Sequence, residues 1–188
     1  MVKYSFEENI IQNAAATLAG IKAASLFNHN FASKEECYAE LSYLNELLNS
    51  KGIYLELLKQ ENNFYLIYVY RRTALEKIFE NKEISSFLYN YGYRDCLSVE
   101  GYINYLKLKL KCSRSFPHEI GIFLGYPLGD VEGFIDNHGK NCKYCGIWKV
   151  YSDEISSVAF FSKVKKCHLV YSQVFKAGRS IYDMTVRN

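Results

Sequence analysis

Proline is scarce in this sequence, with two residues in 188, and no repeat, low-complexity tract or Pro/Gly/Ser-rich linker interrupts it. A flexible tether between separate modules is therefore not expected, and residues 1–188 read as a single domain, with a helical and hairpin half over about 1–112 and a second half over about 113–188. No run of about 18 apolar residues occurs, which excludes a membrane-spanning helix of ordinary length. The opening MVKYSFEENI has no basic stretch leading into an apolar core, so no export signal is expected. Positive charge is modest: the net charge is +3, and Lys and Arg are scattered apart from Lys163, Lys165 and Lys166 and the pair Arg71 and Arg72. A longer basic stripe and a pI above about 9 usually accompany nucleic-acid binding, so the composition argues against that partner, and the lack of a long apolar run means that no membrane partner is expected. Sequence motifs for phosphate loops, dinucleotide folds, serine hydrolases, zinc proteases and kinases are also missing.

With these features absent, a cytoplasmic protein is expected, and cysteines stay reduced in that compartment. Cys37, Cys96, Cys112, Cys142, Cys145 and Cys167 then read as core residues, ligands or redox groups rather than disulfide staples. What the chain has in excess is aromatic surface, with 17 Tyr and 12 Phe raising the aromatic share to 16%. Tyrosine combines apolar area with a polar tip, so it suits core edges, pockets and interfaces equally.

Apolar periodicity predicts a helix over residues 6–27, interrupted or ended near Gly20, and another from the capping pair Ser33 and Glu36 through Cys37, Leu41, Leu44 and Leu48 to Gly52. Ile53–Leu58 and Phe64–Tyr70, joined by Gln-Glu-Asn-Asn, read as a hairpin whose second strand is an inner one. Helices follow over 73–80, where Thr73 and Glu76 form a capping box, over 83–91, and from Ser98 along Val99, Ile103, Leu106 and Leu110. Beyond residue 113 a βαβα order is predicted: strand Glu119–Leu124, helix Leu128–Asp136, strand Tyr144–Tyr151 and helix Asp153–Ala177 stopped by Gly178, with Ile181–Val186 as a last strand. The expected fold is mixed α/β (α+β), one domain with a central mixed sheet of four or five strands and helices packed around it.

Unusual residues gather in the second half. Both prolines, Pro117 and Pro127, and six of eleven glycines fall within a single stretch from Pro117 to Gly146. Such punctuation fits either a ligand-binding loop cluster or turns packed tightly on their neighbours. Asp130 stands at the start of a predicted helix, where a carboxylate satisfies free amides. His118 and Glu119 adjoin on a predicted strand and so point to opposite faces. Cys142 and Cys145 form a C-x-x-C pair, and His138, Cys167 and His168 are the residues that would complete a four-ligand zinc site with them. The pair leads into a strand and not a helix, which argues against a thioredoxin-type mechanism. Lys149 and Tyr151 share one face of that strand, with Trp148 on the other.

The string Phe-Pro-His-Glu-Ile-Gly-Ile-Phe-Leu-Gly-Tyr-Pro-Leu-Gly-Asp-Val-Glu-Gly-Phe-Ile over 116–135 resembles the motif of domain-of-unknown-function family 3793, found mainly in anaerobic Gram-positive bacteria. Thr17-Leu-Ala-Gly-Ile-Lys, Leu66-Ile-Tyr-Val-Tyr-Arg, Gly146-Ile-Trp-Lys-Val-Tyr, Lys166-Cys167 and Gly178-Arg-Ser-Ile extend the likeness over nearly the whole chain. The resemblance implies a cytoplasmic, bacterial, single-domain protein and no established activity. Members often carry a Cys ahead of Thr17-Leu-Ala-Gly where this chain has Ala14, Ala15 and Ala16, which removes any mechanism built on that thiol. Within the motif, the chemically capable positions are His118, Glu119, Tyr126, Cys145, Trp148, Lys149, Tyr151, Cys167 and Arg179, while His138 and Cys142 lie outside it.

Three functions remain open on the sequence. In the first, the Phe116 to Tyr151 segment and Cys167 bind a small cofactor, a metal ion or haem, with His118, Glu119, Tyr126, Trp148, Lys149, Tyr151 and Arg179 as cofactor contacts and Cys142, Cys145, Cys167 and His138 as metal ligands, in iron, haem or thiol redox metabolism. The second is a thiol-dependent enzyme with Cys145 or Cys167 as nucleophile and His118 as base. The third is a regulatory or adaptor protein that presents its tyrosines to a protein partner.

Overall fold

A computed structural model describes residues 5–112 and 115–187. The seam expected between residues 112 and 113 borders residues 113 and 114, which lie outside the described residues. By their contacts the residues sort into two compact units, one running to Ala74 and resuming at Lys166, the other spanning Leu75–Lys165.

The first unit opens with helix α1 (Phe6–Leu18), capped where the Ser5 hydroxyl accepts from the Glu8 amide. The helix ends just before Gly20, as expected, where the backbone turns to a φ of +72°, and residues 24–29, read in the sequence as part of the same apolar helical stretch, form strand β1 (Ala24–His29) instead. Helix α2 (Lys34–Leu48) begins at Ser33, whose hydroxyl accepts from Glu36, and buries Cys37, Leu41, Leu44 and Leu48. Strands β2 (Ile53–Glu61) and β3 (Phe64–Arg71) form the expected hairpin, with Asn62 taking a φ of +52° in the turn. The sheet order is β1-β3-β2, all antiparallel, so β3 is the inner strand. One face, through Tyr65, Ile67 and Val69, joins Ile10, Leu18 and Leu44 in the core, while Tyr54, Tyr68 and Tyr70 stack along the other.

The last part of helix α8 (Glu154–Lys176) and the short helix α9 (Ile181–Met184) complete this unit. Ile181 and Met184 insert in the core. The predicted terminal strand is instead this helix, because the Ser180 hydroxyl caps the Asp183 amide.

The second unit contains most of α3 (Arg72–Glu80), followed by α4 (Lys82–Asn90) and α5 (Val99–Cys112). Helix α3 starts at Arg72, one residue before the predicted Thr73, and ends at Glu80 as predicted. Asn81 caps α4, accepting from the amides of Glu83 and Ile84. Phe79 stacks on Tyr102, ring centres 4.2 Å apart, and meets Phe123 edge-on at 5.2 Å.

The βαβα order is not realised. Glu119–Leu124 is not a strand, since Ile120–Phe123 form a buried helical turn, α6, whose Ile120 carbonyl accepts from the Leu124 amide. A short apolar run is equally compatible with a buried strand or a buried helix, and only its surroundings separate them. Helix α7 (Leu128–Asp136) is as predicted. Tyr144–Tyr151 folds back on itself as two two-residue strands, β4 (Tyr144–Cys145) and β5 (Lys149–Val150), paired antiparallel. Helix and strand are mixed as expected, but the sheets have three strands and two strands among the described residues, in place of one central sheet of four or five.

Candidate functional site

Helix α7 places Asp130, Val131 and Phe134 on one side, as spacings of three and four residues require. Asp130 is 2% exposed. Its carboxylate does not cap its own helix, as the sequence led us to expect, but reaches the chain around β5. Its Oδ1 accepts from the Tyr151 amide at 2.8 Å and from the amide and hydroxyl of Ser152 at 2.7 Å each, and its Oδ2 accepts from Trp148 Nε1 at 2.7 Å. Burial pushes this carboxyl up, but the bonds from Ser152, Tyr151 and Trp148 outweigh it and hold the group below the ordinary aspartate range.

Anchored in this way, Trp148 stacks on Tyr126, ring centres 4.7 Å apart, and meets Phe161 of α8 edge-on at 4.5 Å. Burial pushes the Tyr126 hydroxyl up to about 12, so it stays protonated. Lys149 donates to the Gly139 carbonyl at 2.6 Å, and Tyr151 donates through its hydroxyl to Lys140 at 2.9 Å, closing the turn after α7 onto the hairpin. In that turn His138 is exposed, with a φ of +51°.

Between α6, α7 and the β4–β5 hairpin lies a cleft of about 330 Å3. Its walls are the rings of Phe116, Tyr126, Phe134 and Trp148, with His118, Cys145 and Lys149 as polar groups at its margin, and every lining residue falls between Phe116 and Lys149. The His118 ring lies 5.0 Å from that of Phe134. Volumes of about 300–1,000 Å3 are usual for ligand sites, so this one suits a small molecule.

The glycines are largely accounted for by packing. A Cβ on Gly146 would stand 2.2 Å from Phe161 Cε2, and one on Gly133 would stand 2.5 Å from Tyr151 Cβ. Gly146→Ala is therefore expected to cost about 2 kcal/mol, the range for overpacking a filled interior, and to shift the Trp148 environment. Gly129→Ala, whose Cβ meets only Ser152 at 3.4 Å inside a helix, should be neutral or slightly stabilising. Urea midpoints of the two variants check this, and equal effects would contradict the packing account.

Of the other residues singled out in the sequence, Glu119 is 2% exposed and not at the cleft. It forms an ion pair with Lys109 of α5 and accepts from the Tyr93 hydroxyl at 3.3 Å, which makes it a structural anchor. Cys167 and Arg179 belong to the first unit, Cys167 buried on α8 and Arg179 exposed beyond it. His168 Nδ1 donates to the Gln12 carbonyl at 2.8 Å, and burial holds this imidazole below its usual range. The four-ligand zinc set of His138, Cys142, Cys145 and Cys167 or His168 is not assembled: among the described residues no three His, Cys, Asp or Glu side chains come together to hold a metal ion. No cysteine is in a disulfide, and burial first, then Glu36, pushes the Cys37 thiol up to about 11, as befits an inert core residue.

Sequence reasoning did not single out Phe134 or the true partner of Asp130. The signal was available in the helical spacing of Asp130, Val131 and Phe134, and in a lone Trp whose indole N–H needs an acceptor.

No helix among the described residues is long and apolar enough to cross a membrane. No curated protein and no solved structure matches the chain. Residues 10–185 match the family model described as "Protein of unknown function (DUF3793)", and the chain belongs to that family.

Proposed function

We propose that the protein binds a small organic molecule or cofactor in the cleft between α6, α7 and the β4–β5 hairpin. The observation that carries this reading is the convergence of four aromatic rings with His118, Lys149 and Cys145 around one small concavity whose geometry is fixed from behind by Asp130. Concave apolar sites with few polar groups are the usual form of ligand pockets. Binding is favoured over nucleophilic catalysis because, among the described residues, the His118 ring makes a ring contact with Phe134 and no hydrogen bond to Cys145. A protein-held metal ion has no support from the arrangement of ligands among the described residues.

Trp148 is the single tryptophan and stands in the cleft wall, so its indole N–H gives one resonance that reports occupancy. Titration of 15N-labelled protein with neutral and charged bicyclic aromatics should move that resonance saturably for at least one compound. A folded protein whose indole signal is unmoved by every member of such a panel would overturn the proposal.

A further inference from the structure

We infer that the cleft takes an organic anion, a flat apolar body bearing a carboxylate that is received by Lys149. This rests on the binding reading above and assigns the class of ligand. Lys149 is half-buried at the cleft margin, where its ammonium donates one hydrogen to the Gly139 carbonyl and lies 5.8 Å from the centre of the Phe134 ring. Among the described residues no carboxylate pairs with it. An ammonium has three N–H donors, so two are left for a ligand.

The only carboxylate among the lining residues is that of Asp130, and its two oxygens already accept four hydrogen bonds from Trp148, Tyr151 and Ser152. It forms no ion pair with Lys149 among the described residues, and its oxygens are occupied by the chain around β5. The aromatic walls alone would also suit a cationic ligand, through the negative faces of their rings. The face of Phe134 already has the Lys149 ammonium beside it, however, and a second cation there would be repelled. Ring stacking against Trp148 or Phe134 with a charge-assisted bond to Lys149 is thus the complementary arrangement, and it fits a ligand of one or two rings in about 330 Å3.

The test compares 2-naphthoate, 2-naphthylmethanol and 2-naphthylmethylammonium by the Trp148 indole resonance. The anion should bind about tenfold more tightly than the neutral alcohol and the cation most weakly, since a hydrogen bond to a charged group contributes on this scale. In Lys149→Met the ratio of anion to alcohol affinity should fall to about one while the alcohol still binds. Lys149→Arg should keep the preference, which separates charge from any damage to the turn at Gly139. Binding of all three with equal affinity, or tightest binding of the cation, would overturn the anion assignment and leave the binding site standing. No response to any of the three would count against the site itself.

Discussion

Asp130→Ala is expected to cost about 4 kcal/mol and to release Trp148 from the cleft wall. The carboxylate accepts three main-chain or hydroxyl bonds on Oδ1 and the indole N–H on Oδ2, all at 2.7–2.8 Å, at a position 2% open to solvent. Hydrogen bonds to a charged group contribute about 1.5–3 kcal/mol, and donors left buried without an acceptor carry a further penalty. Asp130→Asn should lose about half as much, because whichever way the amide is turned, its NH2 faces one set of donors. The dependence on pH gives a second readout. The folded state holds this carboxyl below its ordinary value of 3.8, so the advantage of Asp over Asn is full above that value, declines beneath it and disappears once pH falls below the folded value. Urea unfolding of both proteins from pH 7 into strong acid measures the gap. A gap that persisted undiminished in acid would show that the charge is not what stabilises the loop.

Arg71→Met is expected to cost a similar amount, about 4 kcal/mol, in the first unit. Arg71 is 3% exposed at the end of β3. Its Nε donates to the Thr17 carbonyl at 2.6 Å, and its Nη2 donates to Leu18 at 2.6 Å and to Val186 at 2.8 Å. Thr17 and Leu18 close α1, where carbonyls lack helical partners and the helix dipole is negative, so a guanidinium there satisfies both needs. Its planar fork reaches three carbonyls at once, which a lysine ammonium on its flexible stem would not, and Arg71→Lys should recover only part of the loss. Because one of the three carbonyls is Val186, the segment after α8 should loosen as well. Faster tryptic cleavage after Arg179 in the variant is the expected sign. An unchanged cleavage rate with an unchanged urea midpoint would remove Arg71 from this role.

Wherever the determinant is local, the sequence contains the answer. Ser33 and Glu36 mark the start of α2, the stripe from Cys37 to Leu48 marks its buried face, and the continuous apolar run of Phe64–Tyr70 marks an inner strand; all three appear as read. The concentration of glycine and proline from Pro117 to Gly146 likewise falls where the cleft forms. Where the determinant is a partner distant in the chain, the sequence is silent. Ala24–His29 is a strand because β3, about forty residues on, offers an edge, with Ala24 opposite Tyr70 and His29 opposite Tyr65. Ile120–Phe123 is as apolar as a strand would be, and its helical turn follows from the packing around it.

The same division holds for the glycines and prolines with which the cleft is built. Composition identified the segment, but it allowed both a ligand loop and tight packing. Only the tertiary structure places the Phe161 ring where a Gly146 Cβ would be, ties Asp130 to Trp148 eighteen residues away, and turns Glu119 to Lys109 instead of to a ligand. Side-chain direction and close approach depend on three-dimensional neighbours, whereas caps, stripes and turns are set by residues a few positions apart.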